Sequence, residues 1–552
     1  MSKSKKRVRC CVCFALICVI LISILLIILL VKSNRCEYTQ AAVAADSEIC
    51  SDVGRNILQE GGSAVDGAIA ALLCTSLVNP QSMGLGGGAI FTVFENPDHV
   101  KVINGRERVP KVFKRDLLND CPQNTALLPG SQWIGVPGEI QAYKKAHDVY
   151  GKLPWKTLFK PAIKLAREGF PLPSVLEKYL FFFQKAMVNS SLCSVFCKDN
   201  KVLKKGDMLQ YPELAKTMEI IADKGPDAFY EGKLAEDLIQ DIKSAGGSLS
   251  LEDLRSMQAE VKDALPVQLG DYTMYIPPLP ASGSLLSFIL NVMKGYSLRP
   301  ESMKGEEEIW TYHHIIETLK FANGLKKYVK DPAFSDGNDT SHLVSLDFAD
   351  KVRAMIKDEP QPLQYYNVMP SADSMGTSHL SVIDKDGMAV SVTSTINQMF
   401  GSTVYSPRTG VILNNELADF CGRATKISAG EQPPSSMVPT VLYSKPQKTV
   451  LVVGGAGGSM IVSSVALAIM NHIWMGKDLK DAISAPVVFV DSSNGVNFEK
   501  TFDQAVKEKL KAMGHKEGKL QHFFNVVNAI SKQGSCITAV SDARKEGKAA
   551  GY

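Results

Sequence analysis

The sequence Gly376-Thr377-Ser378-His379 contains the residue best suited to act as an unusual nucleophile. A threonine hydroxyl is a weak nucleophile unless a base lies beside it. Cleavage of the peptide bond before Thr377 would create an α-amine with a pKa of about 7.7–8.0 next to that hydroxyl. Such a pair of nucleophile and base is the reactive group of enzymes with an N-terminal threonine. A Gly-Thr pair at the start of a strand is usually structural, so these residues alone leave both interpretations open.

Several other kinds of catalytic or binding site are not supported, because the motifs that define them are missing from the sequence. The chain has nine histidines but no His-Glu-x-x-His, and its Cys-x-x-Cys spacing, Cys10 to Cys13, lies in an apolar N-terminal run, which argues against a zinc enzyme. No Gly-x-Ser-x-Gly elbow is present. The glycines at 84–88 lack the Lys-Ser/Thr of a phosphate loop and predict close backbone packing instead. The glycine-rich run at 454–458 follows a strand and precedes a helix, where N–H groups could face an oxyanion.

The pattern along the chain predicts a layered α/β fold that positions these residues. Ser63 is expected to cap a helix, with Asp66 three residues later. Two strands, 378–383 and 388–394, are expected to form a hairpin around Asp384-Lys385-Asp386-Gly387. The segment 331–375 before them is loosely patterned, so the strongest internal boundary falls at residue 377. Further helices are predicted at 309–326 and 460–474, and further strands at 88–94, 449–454 and 535–540.

The N-terminus has the pattern of a membrane anchor. Residues 10–31 contain no charged residue, and at about 1.5 Å per residue such a helix would span the hydrocarbon core. Five basic residues precede this run and two closely follow it, which predicts a cytoplasmic tail at 1–9 and an extracellular remainder. A cleaved signal peptide is the alternative, but the apolar run is too long for one. We expect a single-pass type II protein of the plasma membrane.

The part of the chain after the apolar run is not basic, and it carries two glycosylation sequons. The formal net charge is +4, but residues 1–36 hold seven basic and no acidic residues, so the rest of the chain is slightly acidic. Nothing in this balance calls for nucleic acid. Asn189 and Asn338 lie in glycosylation sequons.

The twelve cysteines divide between the apolar run and the extracellular part. Four lie at or within the apolar run, where they are either acylated or apolar fillers: Cys10, Cys11, Cys13 and Cys18. In an oxidising compartment we expect disulfides Cys50–Cys74 and Cys193–Cys197. We interpret Cys536 as a buried apolar residue.

From Ala41 to Tyr552 the sequence resembles the gamma-glutamyltransferase (glutathione hydrolase) family of N-terminal-nucleophile hydrolases. The motifs that carry this resemblance are Gly-Gly-Ser-Ala-Val-Asp-Gly-Ala-Ile-Ala at 61–70, Ser-Met-Gly-Leu-Gly-Gly-Gly at 82–88, Ile-Asn-Gly-Arg-Glu at 103–107, Gly-Thr-Ser-His-Leu-Ser-Val at 376–382, Thr-Ser-Thr-Ile-Asn at 393–397, Asn-Asn-Glu-Leu-Ala-Asp-Phe at 414–420, Pro-Ser-Ser-Met at 434–437, the glycines at 454–458, and Ser-Asp-Ala-Arg-Lys-Glu-Gly-Lys-Ala-Ala-Gly-Tyr at 541–552. The stretches at 74–85, 132–139 and 404–410 resemble the gamma-glutamyltransferase 5 branch, which processes leukotriene C4.

The resemblance implies a four-layer αββα sandwich and autoproteolysis between Gly376 and Thr377. Cleavage would leave a large subunit, 36–376, and a small catalytic subunit, 377–552, as a heterodimer. Thr377 Oγ would attack a γ-glutamyl amide to form an acyl-enzyme, and Thr395 would orient it. The backbone N–H groups of Gly457 and Gly458 match the oxyanion hole of the family.

The resemblance also implies a site for the zwitterionic γ-glutamyl group. Arg106, Ser435 and Ser436 would bind its α-carboxylate, since arginine binds a carboxylate with two parallel hydrogen bonds. Its α-ammonium would be accepted by Glu416, Asp419 and Asn397. The implied substrates are glutathione and S-conjugates such as leukotriene C4, with water, an amino acid or a dipeptide as acceptor and no cofactor or metal.

Some of these assignments have structural alternatives. Arg106 could instead pair with Glu107, the two serines could cap a turn, and His379 is expected to be structural because it faces away from Ser378. Three differences from the family pattern bear on the site: Gly105 replaces an alanine and is expected to loosen a strand end, Ala418 replaces an acidic residue, and the loop 421–434 is short. The alternative function is an unprocessed, catalytically silent ectodomain that acts as a binding or structural protein.

Overall fold

The fold is that of a computed structural model, which describes residues 36–121, 130–335, 340–368, 375–423, 426–519 and 525–552. Within these ranges, no helix is long and apolar enough to span a bilayer. The predicted tail at 1–9, the predicted anchor at 10–31 with its four cysteines, and the sequon residue Asn338 lie outside the described residues. Asn189, the other sequon residue, is described and exposed.

The described strands and helices alternate along the chain. The strands are β1 (Ala42–Ala44), β2 (Gly88–Asn96), β3 (His99–Asn104), β4 (Phe170–Pro171), β5 (Cys197–Lys198), β6 (Lys201–Val202), β7 (Met208–Leu209), β8 (Glu260–Asp263), β9 (Leu265–Leu269), β10 (Tyr272–Ile276), β11 (Ser378–Ile383), β12 (Ala389–Thr395), β13 (Thr440–Ser444), β14 (Thr449–Ala456), β15 (Val488–Val490), β16 (Val496–Phe498), β17 (Val526–Gln533), β18 (Cys536–Val540) and β19 (Ala550–Gly551). The helices are α1 (Glu48–Gln59), α2 (Ala64–Val78), α3 (Glu139–Tyr150), α4 (Trp155–Glu168), α5 (Ser174–Phe182), α6 (Gln184–Val188), α7 (Cys193–Phe196), α8 (Pro212–Lys224), α9 (Gly232–Ser244), α10 (Leu251–Ser256), α11 (Gly283–Lys294), α12 (Gly305–Leu325), α13 (Leu346–Met355), α14 (Ile461–Ile473), α15 (Leu479–Ser484) and α16 (Gln504–Ala512).

Two antiparallel sheets form the centre of the described structure. The larger has the strand order β19-β1-β11-β12-β2-β3-β8, and the smaller has the order β18-β17-β14-β13-β10-β9. Both sheets contain strands from before and after residue 377. The boundary predicted at residue 377 is therefore not a boundary between two separately folded domains, because both sheets extend across it.

Alternating side chains fill the layers on the two faces of each sheet. In β1, Ala42 and Ala44 face the apolar layer between the sheets, whereas Val43 faces the helices α1 and α2. In β13, Val441 joins the layer between the sheets and Leu442 joins the core beneath α11, α12 and α14. The layers are thus helix, sheet, sheet, helix, as the family resemblance implies.

Local signals placed many of these elements correctly. The Ser63 hydroxyl accepts from the Asp66 N–H, and the Asp66 carboxylate accepts from the Ser63 N–H, which forms the expected cap of α2. Strands β11 and β12 form the expected hairpin, with Ser378 opposite Ser394. The loosely patterned segment 331–375 is more regular than expected, because Ser345 caps the helix α13 within it.

Four disulfides lie within the described residues. Cys50–Cys74 and Cys193–Cys197 are bonded, as the sequence predicts. The interpretation of Cys536 as a buried apolar residue is wrong, because it is bonded to Cys36. A further disulfide joins Cys121 to Cys421, a pairing that is 300 residues apart and gives no local signal in the sequence.

Candidate active site

Thr377 lies directly before β11 and is buried except for 4% of its surface. Its hydroxyl donates a hydrogen bond of 3.1 Å to the hydroxyl oxygen of Thr395, the last residue of β12. The hairpin register brings these two residues together. The Thr395 oxygen also accepts the N–H of Asn397 at 2.8 Å, so its position is fixed from both sides.

The peptide bond before Thr377 is held in a strained and polarised geometry. Thr377 has φ = +83°, a conformation that costs a β-branched residue of the order of 1–3 kcal/mol. The carbonyl oxygen of Gly376 accepts the N–H of Gly457 at 2.8 Å. A side chain at Gly376 would lie 1.8 Å from the carbonyl oxygen of Asn397, so glycine is required before the threonine.

Gly457 and Gly458 lie where β14 ends and a short 3₁₀ helix, Gly458–Met460, leads into α14. Both have positive φ values, +117° and +58°, which glycine adopts without steric cost. This turn aims the Gly457 N–H at the carbonyl oxygen of Gly376, next to the Thr377 hydroxyl. A donor in that position stabilises the negative charge of a tetrahedral intermediate.

A buried lysine beneath Thr377 was missed by sequence reasoning. The Lys545 ammonium donates to the carbonyl oxygen of Thr377 at 2.7 Å and to the Asp46 carboxylate at 2.7 Å. Asn528 donates to the other Asp46 oxygen and to the carbonyl oxygen of His379. The available signal was the C-terminal motif at 541–552, which contains Lys545 but suggested no role for it.

Arg106 is 1% exposed and lies among acceptors. Its guanidinium donates to Glu416, to Asp419 at 2.6 Å, and to the carbonyl oxygens of Pro433 and Pro434. Glu107 lies 3.7 Å away, so the alternative pairing contributes a longer contact. The residue assigned to the substrate carboxylate therefore pairs with two residues assigned to the substrate ammonium.

Burial raises the pKa values of the carboxyl groups in and next to this cluster. It raises the pKa of Glu416 well above the usual value and also raises the pKa of Asp419, while the Arg106 guanidinium opposes both shifts. Burial raises the pKa of Glu107 to about 8 and that of Glu139 to about 8. Several carboxyl groups therefore face a single guanidinium, and burial favours their neutral forms.

Asn397 and the two serines lie around the same cluster. Asn397 hydrogen-bonds to Asp419 and donates to the carbonyl oxygen of Asn415 at 3.1 Å. Ser435 and Ser436 line a cavity of about 400 Å³ together with Asp419. The Ser435 hydroxyl also accepts the N–H of Met437 at 3.2 Å, which supports the alternative that this serine caps a turn.

Three further expectations concern residues near the cluster. A side chain at Gly105 would lie 2.7 Å from the Gly138 carbonyl oxygen, so the expected loosening there is wrong and close packing requires the glycine. Ala418 is buried next to the cavity. Within the short loop 421–434, Gly430 and Glu431 exchange backbone hydrogen bonds with Val109.

His379 uses both ring nitrogens within the sandwich. Ser381 donates its hydroxyl to the Asn528 carbonyl, so it accepts from Nε2–H of His379, and Nδ1 accepts from the Thr393 hydroxyl. Burial lowers the pKa of His379 to about 3, which keeps the ring neutral. These contacts give the residue a structural role.

Comparison with known proteins identifies the group to which this arrangement belongs. A family model described as gamma-glutamyltranspeptidase matches residues 50–552. The chain belongs to the gamma-glutamyltranspeptidase family. It is 46% identical over 532 residues to the glutathione hydrolase 5 proenzyme of Rattus norvegicus, with 93% of each chain covered. As a member of this family, the protein is an enzyme.

Solved structures of other proteins share this fold. The cephalosporin acylase of Bacillus halodurans superposes with a TM-score of 0.84 at 24% identity, over 94% of this chain and 97% of that chain, which shows the fold alone. The gamma-glutamyltranspeptidase of Helicobacter pylori superposes with a TM-score of 0.51 at 26% identity, over 57% of this chain and 92% of that chain.

Proposed function

We propose that this enzyme is an autoprocessed threonine hydrolase that cleaves the γ-glutamyl bond of glutathione and of S-conjugates such as leukotriene C4. The observation that carries the proposal is the hydrogen bond from the Gly457 N–H to the Gly376 carbonyl oxygen, next to the Thr377 hydroxyl. The relatives named glutathione hydrolase 5 proenzyme support glutathione as a substrate and processing of a proenzyme.

Processing begins with attack of Thr377 Oγ on the carbonyl carbon of Gly376. The Gly457 N–H stabilises the oxyanion, and the C–N bond to Thr377 breaks as its nitrogen takes up a proton. The resulting ester between Gly376 and Thr377 Oγ is hydrolysed by water. The products are a carboxylate at Gly376 and a free α-amine and hydroxyl at Thr377, and cleavage also releases the strain at φ = +83°.

Catalysis uses the same groups a second time. The free α-amine accepts the proton of Thr377 Oγ, and that oxygen attacks the γ-glutamyl carbonyl carbon. The resulting ammonium returns the proton to the nitrogen of cysteinylglycine, or of its S-conjugate, as the C–N bond to the γ-glutamyl group breaks. The Gly457 and Gly458 N–H groups stabilise the oxyanion, and Thr395 holds the hydroxyl in line. Water or an amino-acid acceptor then takes the γ-glutamyl group from the threonine ester.

Substrate binding exchanges partners within the Arg106 cluster. The substrate α-carboxylate takes the guanidinium of Arg106 and the serine donors, and the α-ammonium takes Glu416, Asp419 and Asn397. Arg106 and the carboxylates neutralise one another without substrate, so the zwitterion replaces one set of ion pairs with another. This exchange limits the cost of desolvating the buried charges.

We also propose that residues 10–31 anchor the enzyme in the plasma membrane in a type II orientation, with the catalytic region outside the cell. The charge distribution around the apolar run and the disulfides of the described residues support this topology.

The decisive experiment compares the wild-type chain with Thr377→Ala on a reducing denaturing gel and in an activity assay. The wild-type chain should give two fragments, the smaller beginning at Thr377, and should release glutamate from glutathione and from leukotriene C4. Thr377→Ala should stay uncut and inactive. A wild-type preparation that is active but uncut would contradict the proposal, and an uncut, inactive one would favour the silent ectodomain.

A further inference from the structure

Two of the four described disulfides cross the cleavage position. Cys36–Cys536 and Cys121–Cys421 each join a residue before Gly376 to one after it. Their Cα atoms lie 5.0 and 5.6 Å apart, within the usual range for a disulfide. The other two, Cys50–Cys74 and Cys193–Cys197, lie wholly before Gly376.

We propose that the two subunits of the processed enzyme are joined covalently by these two disulfides, and that Cys121–Cys421 also positions the substrate-binding carboxylates. The inference rests on the proposed cleavage between Gly376 and Thr377. Cleavage turns each crossing disulfide from a link within one chain into a link between two chains.

Strands of the two proposed subunits pair with each other in both sheets, and this pairing resists separation of the subunits under native conditions. In the larger sheet, β1 and β2, which precede the cleavage position, pair with β11 and β12, which follow it. In the smaller sheet, β10 pairs with β13 across the same divide. The disulfides therefore have their clearest consequence when the fold is lost, because the chains would stay joined in denaturant.

Cys36–Cys536 fastens the start of the described chain to the small subunit. Around it, Tyr38 exchanges two backbone hydrogen bonds with Ile537, and the N–H groups of Thr39 and Gln40 donate to the carbonyl oxygen of Tyr552. The proposed anchor ends only a few residues before Cys36. In the described part of 377–552 no helix is long and apolar enough to span a bilayer. This disulfide would therefore link the small subunit covalently to the proposed membrane-bound chain.

Cys121–Cys421 lies beside the substrate site. Cys421 directly follows the 3₁₀ helix Glu416–Phe420, which carries two of the three proposed ammonium acceptors, and its N–H donates to the Ala418 carbonyl at 3.0 Å. The large subunit contributes Cys121, at the end of the 3₁₀ helix Leu117–Asp120. The disulfide packs on a small apolar cluster formed by Val109, Leu117, Trp133, Leu417, Ala418, Phe420 and Ile427. It therefore fixes one end of the helix that presents Glu416 and Asp419 to Arg106.

A pair of denaturing gels tests the covalent link. The full-length enzyme is solubilised in detergent, treated with an alkylating agent to block thiol exchange, and run with and without dithiothreitol, which reduces each disulfide to two thiols. The wild type should give one species without reductant and two with it. The double variant Cys36→Ser/Cys121→Ser should give two species in both conditions. The matched control Cys193→Ser/Cys197→Ser, which removes a disulfide within the large subunit, should behave like the wild type.

Each contrary gel result has a distinct meaning. Two wild-type species without reductant would overturn the covalent link and leave the proposed cleavage intact. One wild-type species with reductant would overturn the cleavage, and with it a link between two processed chains. Mass spectrometry of unreduced peptides should detect Cys36 linked to Cys536 and Cys121 linked to Cys421, and absence of either linked peptide would overturn that disulfide.

The positioning role is tested by comparing the two disulfides. Both link the subunits, but only Cys121–Cys421 touches the substrate site. With a γ-glutamyl anilide, which carries no thiol, Cys121→Ser should raise KM by about three- to tenfold while kcat changes much less, because ordering of the carboxylate helix would then oppose binding. Cys36→Ser should leave KM unchanged. Equal KM values for the wild type and Cys121→Ser would overturn the positioning role.

Discussion

The ammonium of Lys545 donates a hydrogen bond of 2.7 Å to the backbone carbonyl oxygen of Thr377. Lys545 is 4% exposed, and its second partner, Asp46, is 1% exposed. The lysine belongs to the small subunit and Asp46 to the large one, so this ion pair crosses the proposed subunit interface beneath the nucleophile. This hydrogen bond from a charged donor holds the backbone of Thr377 in place beneath the hydroxyl of the proposed nucleophile.

Lys545→Met is therefore expected to slow both processing and turnover. A hydrogen bond from a charged donor is worth about 1.5–3 kcal/mol, which corresponds to a loss of about ten- to hundredfold in rate. Processing can be measured as the fraction cut over time, and turnover with a γ-glutamyl anilide. Lys548→Met is the matched control, because Lys548 is exposed and pairs only with Glu48 on the surface. Unaltered processing and turnover in Lys545→Met would contradict this role.

Thr395 should act through its hydroxyl rather than through its shape. Thr395→Val keeps the branched side chain but removes the oxygen that accepts from Thr377 and from the Asn397 N–H. We expect a fall in kcat of about ten- to hundredfold with little change in KM, because loss of this bond disturbs the nucleophile rather than substrate binding. Thr395→Ser retains the hydroxyl and should restore most of kcat. If Thr395→Ser has the same low kcat as Thr395→Val, the proposal that the Thr395 hydroxyl orients Thr377 is wrong.

Much of this architecture follows from local sequence signals. The Ser63 cap, the turn between β11 and β12, and the glycine-rich turn after β14 each depend on neighbouring residues, so pattern and turn chemistry were enough to predict their local structure. The contacts between Lys545 and Thr377 and between Cys121 and Cys421 join residues 168 and 300 positions apart. Such contacts depend on the assembled sandwich, and a single sequence gives no local signal for them.

The predictions for Cys536 and Gly105 were wrong because both residues depend on contacts with distant parts of the chain. Cys536 occupies a strand and has an apolar pattern around it, so its sequence context resembles that of a buried residue. Its partner Cys36 reaches it only because the start of the described chain packs along β18, where Tyr38 pairs with Ile537. Gly105 was expected to loosen its strand end, but the close approach of Gly138 that requires it comes from the start of a different element.

Arg106→Lys should separate binding from processing. A lysine cannot reproduce the fork that reaches Glu416, Asp419 and two proline carbonyls, so it would hold a carboxylate less firmly. We expect normal cleavage into two chains and a KM for γ-glutamyl substrates that rises by about tenfold or more, as loss of a charged hydrogen bond implies. Arg299→Lys, on an exposed side chain, is the control. An unchanged KM in Arg106→Lys would show that this residue does not bind the substrate carboxylate.

A buried histidine pair should make the enzyme less stable at acidic pH. His313 Nε2–H donates to the Lys357 carbonyl oxygen, its Nδ1 accepts from His515 Nε2–H, and His515 Nδ1 accepts from the Lys320 ammonium. Lys320 in turn pairs with Glu317, which accepts from the Tyr366 hydroxyl. Every ring nitrogen of the pair is used in its neutral form, so a further proton on either ring would place two N–H groups against each other.

The sign of the effect follows from the pKa shifts. Burial lowers the pKa of His515 to about 2 and also lowers the pKa of His313, whereas an unfolded histidine has a pKa of about 6.5. Below about pH 6.5 the unfolded chain binds protons that the folded chain does not. The free energy of unfolding should therefore decrease as the pH falls, by about 1.4 kcal/mol per pH unit for each such histidine.

The variant His515→Gln isolates this contribution. A glutamine side chain offers one acceptor toward Lys320 and one donor toward His313 but binds no proton in this range. Thermal unfolding at pH 7 and pH 5 should show a smaller decrease in Tm for His515→Gln than for the wild type. His99→Gln, at an exposed position, should keep the wild-type decrease. Equal decreases in all three proteins would mean that the histidine pair does not cause the acid sensitivity.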